Sequence, residues 1–178
     1  GVSPFLPQQA DRLIRTKKGV QTDARTLSIQ VGLAKGMRKY NLRRIITFHS
    51  SVDRAKRFTD PSHDDSLPGV VRDMDSTVKP SGKLWTEHIE GKTAVRKRNQ
   101  ILHNLAKLPR GTRGVVSNCA CLNEGVDVPV LDGIAFVDPR RSEVDIIQAV
   151  GRVIRKAKDK KIGTVVIPVY VDESEDAE

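Results

Sequence analysis

The sequence predicts an α/β fold in which one parallel sheet lies between two layers of helices. Short apolar runs recur between residues 44 and 171, and each is only long enough for one strand. Segments with apolar residues at helical spacing separate these runs, and the runs themselves are apolar on both faces. Strands that alternate with helices in this way are typical of a parallel sheet covered on both sides. We therefore expect a three-layer αβα domain.

The first predicted elements are a helix, a strand and a second helix. Apolar residues recur at helical spacing over 26–40, and the apolar run 44–48 suits a buried strand. The second helix is predicted to begin at Ser50, because a hydroxyl three residues before Asp53 resembles a capping box, and to end at Phe58.

A loop-rich insert separates these elements from the next strand. Residues 60–82 hold three prolines and two glycines, and only one short helix, at about 70–76, is expected there. A strand over 84–89 and a basic helix over 93–108 follow, and Pro109 ends that helix.

The last predicted elements are three strands that complete the sheet and one helix that packs on it. Strands are predicted over 114–119 and 133–137, the second of which stops before Pro139. A helix over 143–154 and a strand over 163–171 follow. Ligands of such sheets bind at the carboxyl ends of the strands, and the polar clusters of this sequence come directly after strands. We therefore expect the functional site at that edge.

The charge of the chain is unevenly distributed. The net charge is +9, but residues 172–178 hold five acids and no base, so the rest of the chain reaches +14. A surplus of this size indicates a polyanionic partner, although a solvated surface fits it as well. We expect a linker or arm over 1–24, one domain over 25–171, and the acidic tail.

Neither a membrane span nor a metal site is expected. No run approaches the ~20 apolar residues that a span needs, and residues 1–4 lack the apolar core of a signal peptide. Cys119 and Cys121 lie two apart in an apolar run, so on a strand both would face the same way, which is poor geometry for a disulfide. The four histidines show no metal-ligand spacing. These observations favour a cytoplasmic protein with reduced cysteines.

The segment 145–155 presents a charged face if it is helical. At about 100° per residue, Gln148, Arg152 and Arg155 fall on one side, and the isoleucines and valines fall on the opposite side. Two guanidiniums on a rigid helix suit a phosphate chain, because each is a planar fork of donors. An amphipathic helix with solvated arginines fits the same pattern, and amphipathicity alone favours that interpretation.

The segment 119–129 places two acids and a glycine in a tight loop after a strand. Gly125 permits close approach of a ligand to the backbone, and Asp127 can accept a hydrogen bond from a ribose hydroxyl. A polar turn closed by Pro129 explains the loop equally well.

Four segments, taken in order, resemble motifs of the C-terminal helicase domain of superfamily 2. Residues 45–51 resemble motif IV, and 88–91, followed by a basic helix, resemble motif IVa. Residues 124–129 resemble motif V, and 148–155 resemble motif VI. Each motif alone is a weak signal, but the ordered set covers roughly residues 44–171.

Two runs resemble a bacterial branch of this family. Residues 123–132 and 138–142 are similar to helicases that carry helicase-associated domains. They are equally similar to the translocase part of single-chain restriction–modification enzymes, so the sequence leaves both parents open.

The resemblance implies a RecA-like fold of the P-loop NTPase type and a role for each matching residue. Arg155 is implied as the arginine finger on the γ-phosphate, and Arg152 as a second contact to it. Gln148 is implied near the nucleotide and Asp127 on the ribose, with Gly125 allowing that approach.

The resemblance also implies a nucleic-acid edge. His49, Ser50 and Gly91 match positions near the nucleic-acid backbone. Cys119 stands where many relatives have a threonine that touches the backbone, and a thiol is a weaker donor. The implied partners are nucleic acid, for which DNA is expected, and a preceding RecA-like domain of the same polypeptide.

The groups that bind triphosphate and metal are not found in these residues. Gly91-Lys92-Thr93 looks like the end of a P-loop, but the pattern needs a glycine where Thr86 stands, and outside the acidic tail no Asp-Glu pair follows a strand. ATP and Mg²⁺ are the implied cofactors, with the Mg²⁺ ligands on the preceding domain. The sequence therefore predicts the second motor domain of an ATP-dependent helicase or translocase, inactive as an isolated chain. The alternative is a basic α/β module that binds nucleic acid or protein without turnover, and the missing P-loop disfavours a self-sufficient nucleotide enzyme.

Overall fold

The computed structural model describes residues 24–119, 131–138, 151 and 164–166. The helices in these residues are α1 (Ala24–Lys39), α2 (Val52–Thr59), α3 (Leu67–Asp73) and α4 (Val95–Ala106). The strands are β1 (Arg44–His49), β2 (Lys83–Ile89), β3 (Thr112–Cys119), β4 (Gly133–Phe136) and β5 (Thr164–Val166).

The five strands form one parallel sheet in the order β2-β3-β1-β4-β5. Because β1 is central, the chain runs outward from β1 to β2, returns through β3, and then passes β1 to reach β4. Ligand sites in such sheets lie at the carboxyl ends of the strands where the strand order reverses. The predicted α/β fold with a parallel sheet is confirmed, and its reversal point is the carboxyl end of β1.

Buried apolar side chains lie on both faces of the sheet. Ile45 belongs to the cluster that joins α1, α2 and α3 to the sheet, together with Leu33. Its neighbour Ile46 belongs to the cluster on the other face, where α4 contributes Leu105. Successive side chains of a strand point to opposite faces, so β1 is buried from both sides and the domain has three layers, as predicted.

Asn41 ends helix α1 close to the predicted boundary. Its φ is 51°, a left-handed conformation that asparagine tolerates better than most residues. The next N–H, of Leu42, donates to the carbonyl oxygen of Met37 at 3.0 Å. This is a Schellman ending, which turns the chain from α1 into β1.

Helix α2 begins after Ser51, not at the predicted Ser50. The Ser51 hydroxyl oxygen accepts a hydrogen bond from the Arg54 N–H at 3.3 Å, whereas Ser50 bonds to Asp138. Either of two adjacent serines could cap the helix. Because Ser50 is bonded to Asp138, 88 residues further along the chain, Ser51 is the cap.

The predicted bounds of α3 and α4 also shift by a few residues. Helix α3 is predicted at about 70–76, but it begins earlier because the Ser66 hydroxyl oxygen accepts from the Gly69 N–H at 3.2 Å. Helix α4 begins two residues late because Thr93 closes a turn instead, with its N–H 2.9 Å from the Glu90 carbonyl oxygen.

Part of the prediction lies outside the described residues. Of the predicted helix 143–154, only Gly151 is described, and it is helical. Of the predicted strand 163–171, only β5 is described. The acidic tail and all but one residue of the predicted arm also lie outside. In the described part of the chain, no helix is long and apolar enough to cross a membrane.

Candidate functional site

Four parallel strands end near one another along one edge of the sheet. His49, at the end of β1, pairs with Cys119 at the end of β3, and Ile89, at the end of β2, pairs with Asn118. Phe136, at the end of β4, pairs with the residue before His49. The residues that follow these strands therefore lie along one line, which we call the carboxyl edge.

The four predicted nucleic-acid residues all lie on the carboxyl edge. His49 and Cys119 end their strands, Ser50 follows His49, and Gly91 comes two residues after β2. Ser50 and Gly91 are exposed, Cys119 is half-buried and His49 is buried. The topology therefore brings the four together, and their contact with nucleic acid stays a prediction.

A buried carboxylate, which the sequence marked only as the end of a strand, fixes this edge. Asp138 is 6% exposed, and its Oδ2 accepts hydrogen bonds from the Ser50 N–H at 2.7 Å and the Ser50 hydroxyl at 3.0 Å. Its Oδ1 lies 3.0 Å from Nη2 of Arg54. One side chain thus ties the end of β4 to the end of β1 and the first turn of α2. The sequence signal for it was an acid placed directly after a buried strand.

The imidazole of His49 belongs to the interior. Its Nε2 lies 2.9 Å from Thr47 Oγ1, and its ring meets the Phe58 ring edge-on at a centroid distance of 4.8 Å. Burial lowers the pKa of His49 to about 4, the charge of Asp138 acts in the opposite direction, and Arg54 lowers it further. The ring is therefore neutral near pH 7, so a nucleic-acid contact at His49 has to use its main chain.

Gly91 lies in a turn that is fixed by hydrogen bonds on both sides. The Glu90 N–H donates to Thr93 Oγ1 at 3.0 Å, and the Glu90 carboxylate lies 3.5 Å from Lys56 Nζ. A Cβ added at Gly91 would meet nothing within 4 Å. The fold itself leaves room for a side chain here, so this position is open to approach from outside.

The basic residues of α2 are neutralised within the fold. Each of them lies against an acid from another segment, at 4.0 Å or less. The pairs are Arg54 with Asp138 at 3.0 Å, Lys56 with Glu90 at 3.5 Å, and Arg57 with Asp65 at 2.7 Å.

Three basic residues at the start of α4 are not paired in this way. They are Lys92, three residues before the helix, and Arg96 and Lys97 in its first turn, and we call them the α4 cation cluster. All three are exposed, and none forms an ion pair with a described residue. The first turn of α4 holds no acid, and the N-cap residue Ala94 makes no side-chain hydrogen bond to it. Positive side chains at the positive end of a helix dipole attract an anion. Because α4 follows β2, this cluster lies beside the carboxyl edge.

The outer face of α4 holds a shallow hollow of about 590 Å³. Its lining residues are all exposed, so it is an open surface and not an enclosed pocket. They are Val95, Arg96, Asn99, Gln100 and His103. Across the described ranges, no group of three or more His, Cys, Asp and Glu residues could hold a metal ion.

The predicted nucleotide-binding residues lie outside the described part of the chain. They are Gly125, Asp127, Gln148, Arg152 and Arg155. The described structure therefore presents the nucleic-acid side of the predicted site, and the roles of these five residues stay predictions.

Comparison with known families and structures gives one consistent result. The profile of the family described as helicase conserved C-terminal domain matches residues 32–157. A solved structure, the ATP-dependent Type ISP restriction-modification enzyme LlaBIII bound to DNA, is similar with a TM-score of 0.73 and 26% identity. The likeness covers 94% of this chain but 11% of that enzyme.

Other proteins match a smaller part of the chain or its fold alone. The probable helicase A859L of African swine fever virus is 38% identical over 58 residues, which is 33% of this chain and 7% of the viral protein. The C-terminal part of the Fun30 ATPase domain is 12% identical with a TM-score of 0.53, covering 90% of this chain and 48% of that one. The chain thus spans only a small fraction of the curated relatives that it matches.

Proposed function

Because the chain belongs to the family of helicase conserved C-terminal domains, we propose that it is the second motor domain of an ATP-dependent nucleic-acid helicase or translocase. The observation that carries the proposal is the place of the α4 cation cluster. The three side chains of this cluster are exposed and have no acid partner among the described residues. They lie at the same edge as Ser50, Gly91 and Cys119. The equally basic α2 is neutralised by the fold, so at this edge the α4 cation cluster, and not α2, supplies positive charge that no described acid balances.

The proposed polymer is DNA, held by its phosphates. Lysine and arginine side chains bind phosphates and release the counterions condensed on the polymer, without reading the sequence of bases. The α4 cation cluster supplies such charges, and His49, Ser50 and Gly91 lie along the same edge. DNA is preferred over RNA because the solved structure at 26% identity is described as bound to DNA.

The nucleotide is proposed to bind between this domain and a preceding RecA-like domain of the same polypeptide. That domain would hold the triphosphate and Mg²⁺, since this chain lacks a P-loop pattern. This chain would supply Arg155 as the arginine finger and Arg152 beside it, with Gln148 and Asp127 near the nucleotide and Gly125 allowing the approach. Guanidiniums placed there stabilise the charge on the transferring phosphoryl group.

Movement along the polymer follows from such a two-domain arrangement. ATP closes the cleft because groups from both domains contact it, and hydrolysis removes the γ-phosphate that held the two domains together. An isolated chain has half of this machinery, so it should bind nucleic acid weakly and hydrolyse no ATP. The cytoplasm is the compartment in which we place this activity.

The experiment compares two pairs of charge removals, one at each end of α4. Arg96→Gln with Lys97→Gln removes two charges from the α4 cation cluster, at the carboxyl edge. Lys107→Gln with Arg110→Gln removes two exposed charges at the opposite end of α4 and matches the first pair in net charge. Binding to single- and double-stranded DNA is measured by fluorescence anisotropy from about 50 to 200 mM salt, the range over which phosphate contacts weaken strongly.

The first pair should weaken binding and flatten the salt dependence by about 0.7–0.9 in log–log slope for each phosphate that the variant no longer neutralises. The second pair should leave the slope close to that of the wild type. Equal weakening by both pairs would mean that the net charge acts without a defined edge. Absence of binding at low salt, or tight binding that does not change with salt, would contradict the proposal.

A further inference from the structure

Ser50 and Arg54, which we call the β1–α2 corner, direct hydrogen-bond donors to one internal anion. The Asp138 carboxylate accepts the Ser50 N–H at 2.7 Å and the Ser50 hydroxyl at 3.0 Å, and it lies 3.0 Å from Nη2 of Arg54. Ser50 is exposed, and so is 44% of the Arg54 side chain, whereas the Asp138 side chain is only 7% exposed. A buried carboxylate therefore holds donors of residues that lie at the surface of the carboxyl edge.

Ser50 can offer a hydrogen to a phosphate only after a bond to Asp138 is broken. Its N–H and its hydroxyl each carry one hydrogen, and both are donated to Asp138. An ionised carboxylate only accepts hydrogen bonds, so the hydroxyl has to be the donor in this pair, and only its lone pairs can face another group. The phosphate oxygens of nucleic acid also accept hydrogen bonds. The bonded arrangement of Ser50 therefore disfavours a phosphate.

Asp138 also offsets the charge of Arg54 at the same place. The guanidinium is paired with the carboxylate, and its Nη2 is also 3.3 Å from Thr26 Oγ1. Carboxylates and phosphates favour the same planar donors, so an approaching phosphate meets a guanidinium that an anion already holds, with a negative charge beneath it. No described acid opposes a phosphate in this way at the α4 cation cluster.

We infer that Asp138 withholds Ser50 and Arg54 from nucleic acid, so that phosphates bind this edge through the α4 cation cluster and not at the β1–α2 corner. The inference rests on the proposed function. It differs from the family resemblance, which implies that Ser50 lies at the nucleic-acid backbone. Asp138 thereby limits the affinity of the domain for nucleic acid.

The opposite edge of the sheet supplies a matched control. Asp132, directly before β4, accepts the N–H groups of Arg43 and Arg44 at 3.0 and 2.9 Å, and Nη1 of Arg44 lies 3.7 Å from the same carboxylate oxygen. Like Asp138, it joins β4 to β1 and lies against one arginine. Replacing either acid by asparagine removes one negative charge, but only Asp138→Asn does so on the carboxyl edge.

The test measures binding of the chain to single- and double-stranded DNA by fluorescence anisotropy over about 50–200 mM salt. Asp138→Asn should raise the affinity several-fold, because the Arg54 charge is released. It should also steepen the log–log salt slope by about 0.7–0.9, the increment for one more neutralised phosphate. Asp132→Asn should keep the wild-type affinity and slope. An equal gain in both variants would overturn the inference, since net charge alone would then explain it, and so would unchanged or weaker binding by a folded Asp138→Asn.

Two further variants identify the groups that Asp138 withholds. Arg54→Gln added to Asp138→Asn should abolish the gain in slope, because no released cation remains, and a gain that persists would overturn the inference. Ser50→Ala alone should keep the wild-type affinity, because the hydrogen of its hydroxyl is directed at Asp138 and not at a phosphate. A several-fold loss in Ser50→Ala would show that Ser50 donates to nucleic acid and would overturn the inference.

Thermal midpoints show which variants are folded. If Asp138→Asn does not fold, Ser50→Ala decides, because it changes an exposed residue. A wild-type chain without salt-dependent binding to DNA would contradict the proposed function and the inference with it. Normal binding by the wild type, without a gain in Asp138→Asn, would contradict the inference alone.

Discussion

The guanidinium of Arg113 lies against the main-chain oxygen of Leu42, with Nη1 2.7 Å from it. The same nitrogen is 3.2 Å from the Met37 oxygen, Nε is 2.9 Å from the Ser81 oxygen, and Nη2 is 3.1 Å from Asn41 Oδ1. Arg113 is 8% exposed, and it forms no ion pair with a described residue. Its hydrogen bonds to described residues all go to neutral oxygens, and they join the turn after α1 to the starts of β2 and β3.

Replacing Arg113 by methionine should lower the free energy of unfolding by about 3 kcal/mol. The oxygen of the buried Leu42 would lose its donor, and a buried oxygen left unpaired costs about 1–3 kcal/mol before relaxation. Arg113→Lys should restore little of this, because one ammonium group cannot span the same oxygens. Urea denaturation of the chain measures the change. The exposed Arg110, replaced by methionine, is the control and should stay within about 0.5 kcal/mol of the wild type; a similar destabilisation in both variants would refute the bracing role.

Acid should weaken the fold through His49. Its pKa is lowered to about 4, chiefly by burial, while an unfolded histidine titrates near 6.5. At pH values between these two pKa values, the histidine is protonated in the unfolded chain but neutral in the folded chain. Stability is therefore fully present above about pH 6.5 and is lost as the pH falls toward about 4, by roughly 3 kcal/mol in all.

The His49 effect is isolated by comparing variants at several pH values. Denaturation midpoints are measured between about pH 7 and pH 4.5, the window that the two pKa values define. The denaturation midpoint of His49→Gln should fall less steeply with decreasing pH than that of the wild type, because the buried histidine with the lowered pKa is gone. His103→Gln removes an exposed histidine of α4 and should keep the wild-type fall. If His49→Gln falls as steeply as the wild type, the buried imidazole is not the cause.

Two glycines should respond to alanine in opposite directions. Gly82 has φ of 88°, and a Cβ there would overlap the carbonyl oxygen of Gly111, so Gly82→Ala should cost about 2 kcal/mol or more. Gly36 lies within α1, and a Cβ there meets nothing within 4 Å. Gly36→Ala should therefore stabilise the chain by about 0.5–1 kcal/mol. Thermal midpoints of both variants test the pair. Destabilisation by Gly36→Ala would contradict the open space that the packing around α1 leaves at Gly36.

Local sequence patterns predicted most elements because each pattern is set by neighbours in the chain. The period of apolar residues located α1, and the short apolar run located β1, within one or two residues of their observed bounds. The predicted start of α2 was one residue too early because Ser50 donates its hydrogen bonds to Asp138, far along the chain. No pattern within a window of ten residues contains that information. The predicted helicase family, in contrast, was carried by ordered motifs over the whole domain, and it is confirmed.

The candidate site was predicted less completely, since its chemistry depends on which residues meet. The sequence shows basic residues on both α2 and α4, but only the fold reveals that Arg54 is paired while Arg96 has no acid partner among the described residues. In the same way, the family resemblance implied that His49 lies near the nucleic-acid backbone, but only the fold shows that its ring packs against Phe58, because β1 is covered on that face by α2. A contact of its main chain with nucleic acid stays a prediction.

Arg155→Ala in the full-length protein should abolish ATP hydrolysis and leave ATP binding largely intact. Helical spacing places Arg155 on the same side as Gln148 and Arg152, opposite the isoleucines and valines that would anchor the segment. Its removal should therefore leave the thermal midpoint unchanged, while the absence of an arginine finger costs on the order of 10³–10⁵ in rate. Nucleotide affinity should change little because a P-loop on the preceding domain would provide most of it. Arg155→Lys should not rescue the rate, since an ammonium cannot reproduce the planar fork of donors. Near-normal turnover in Arg155→Ala would show that Arg155 is a solvated surface residue, and a collapse of the midpoint would show that it supports the fold.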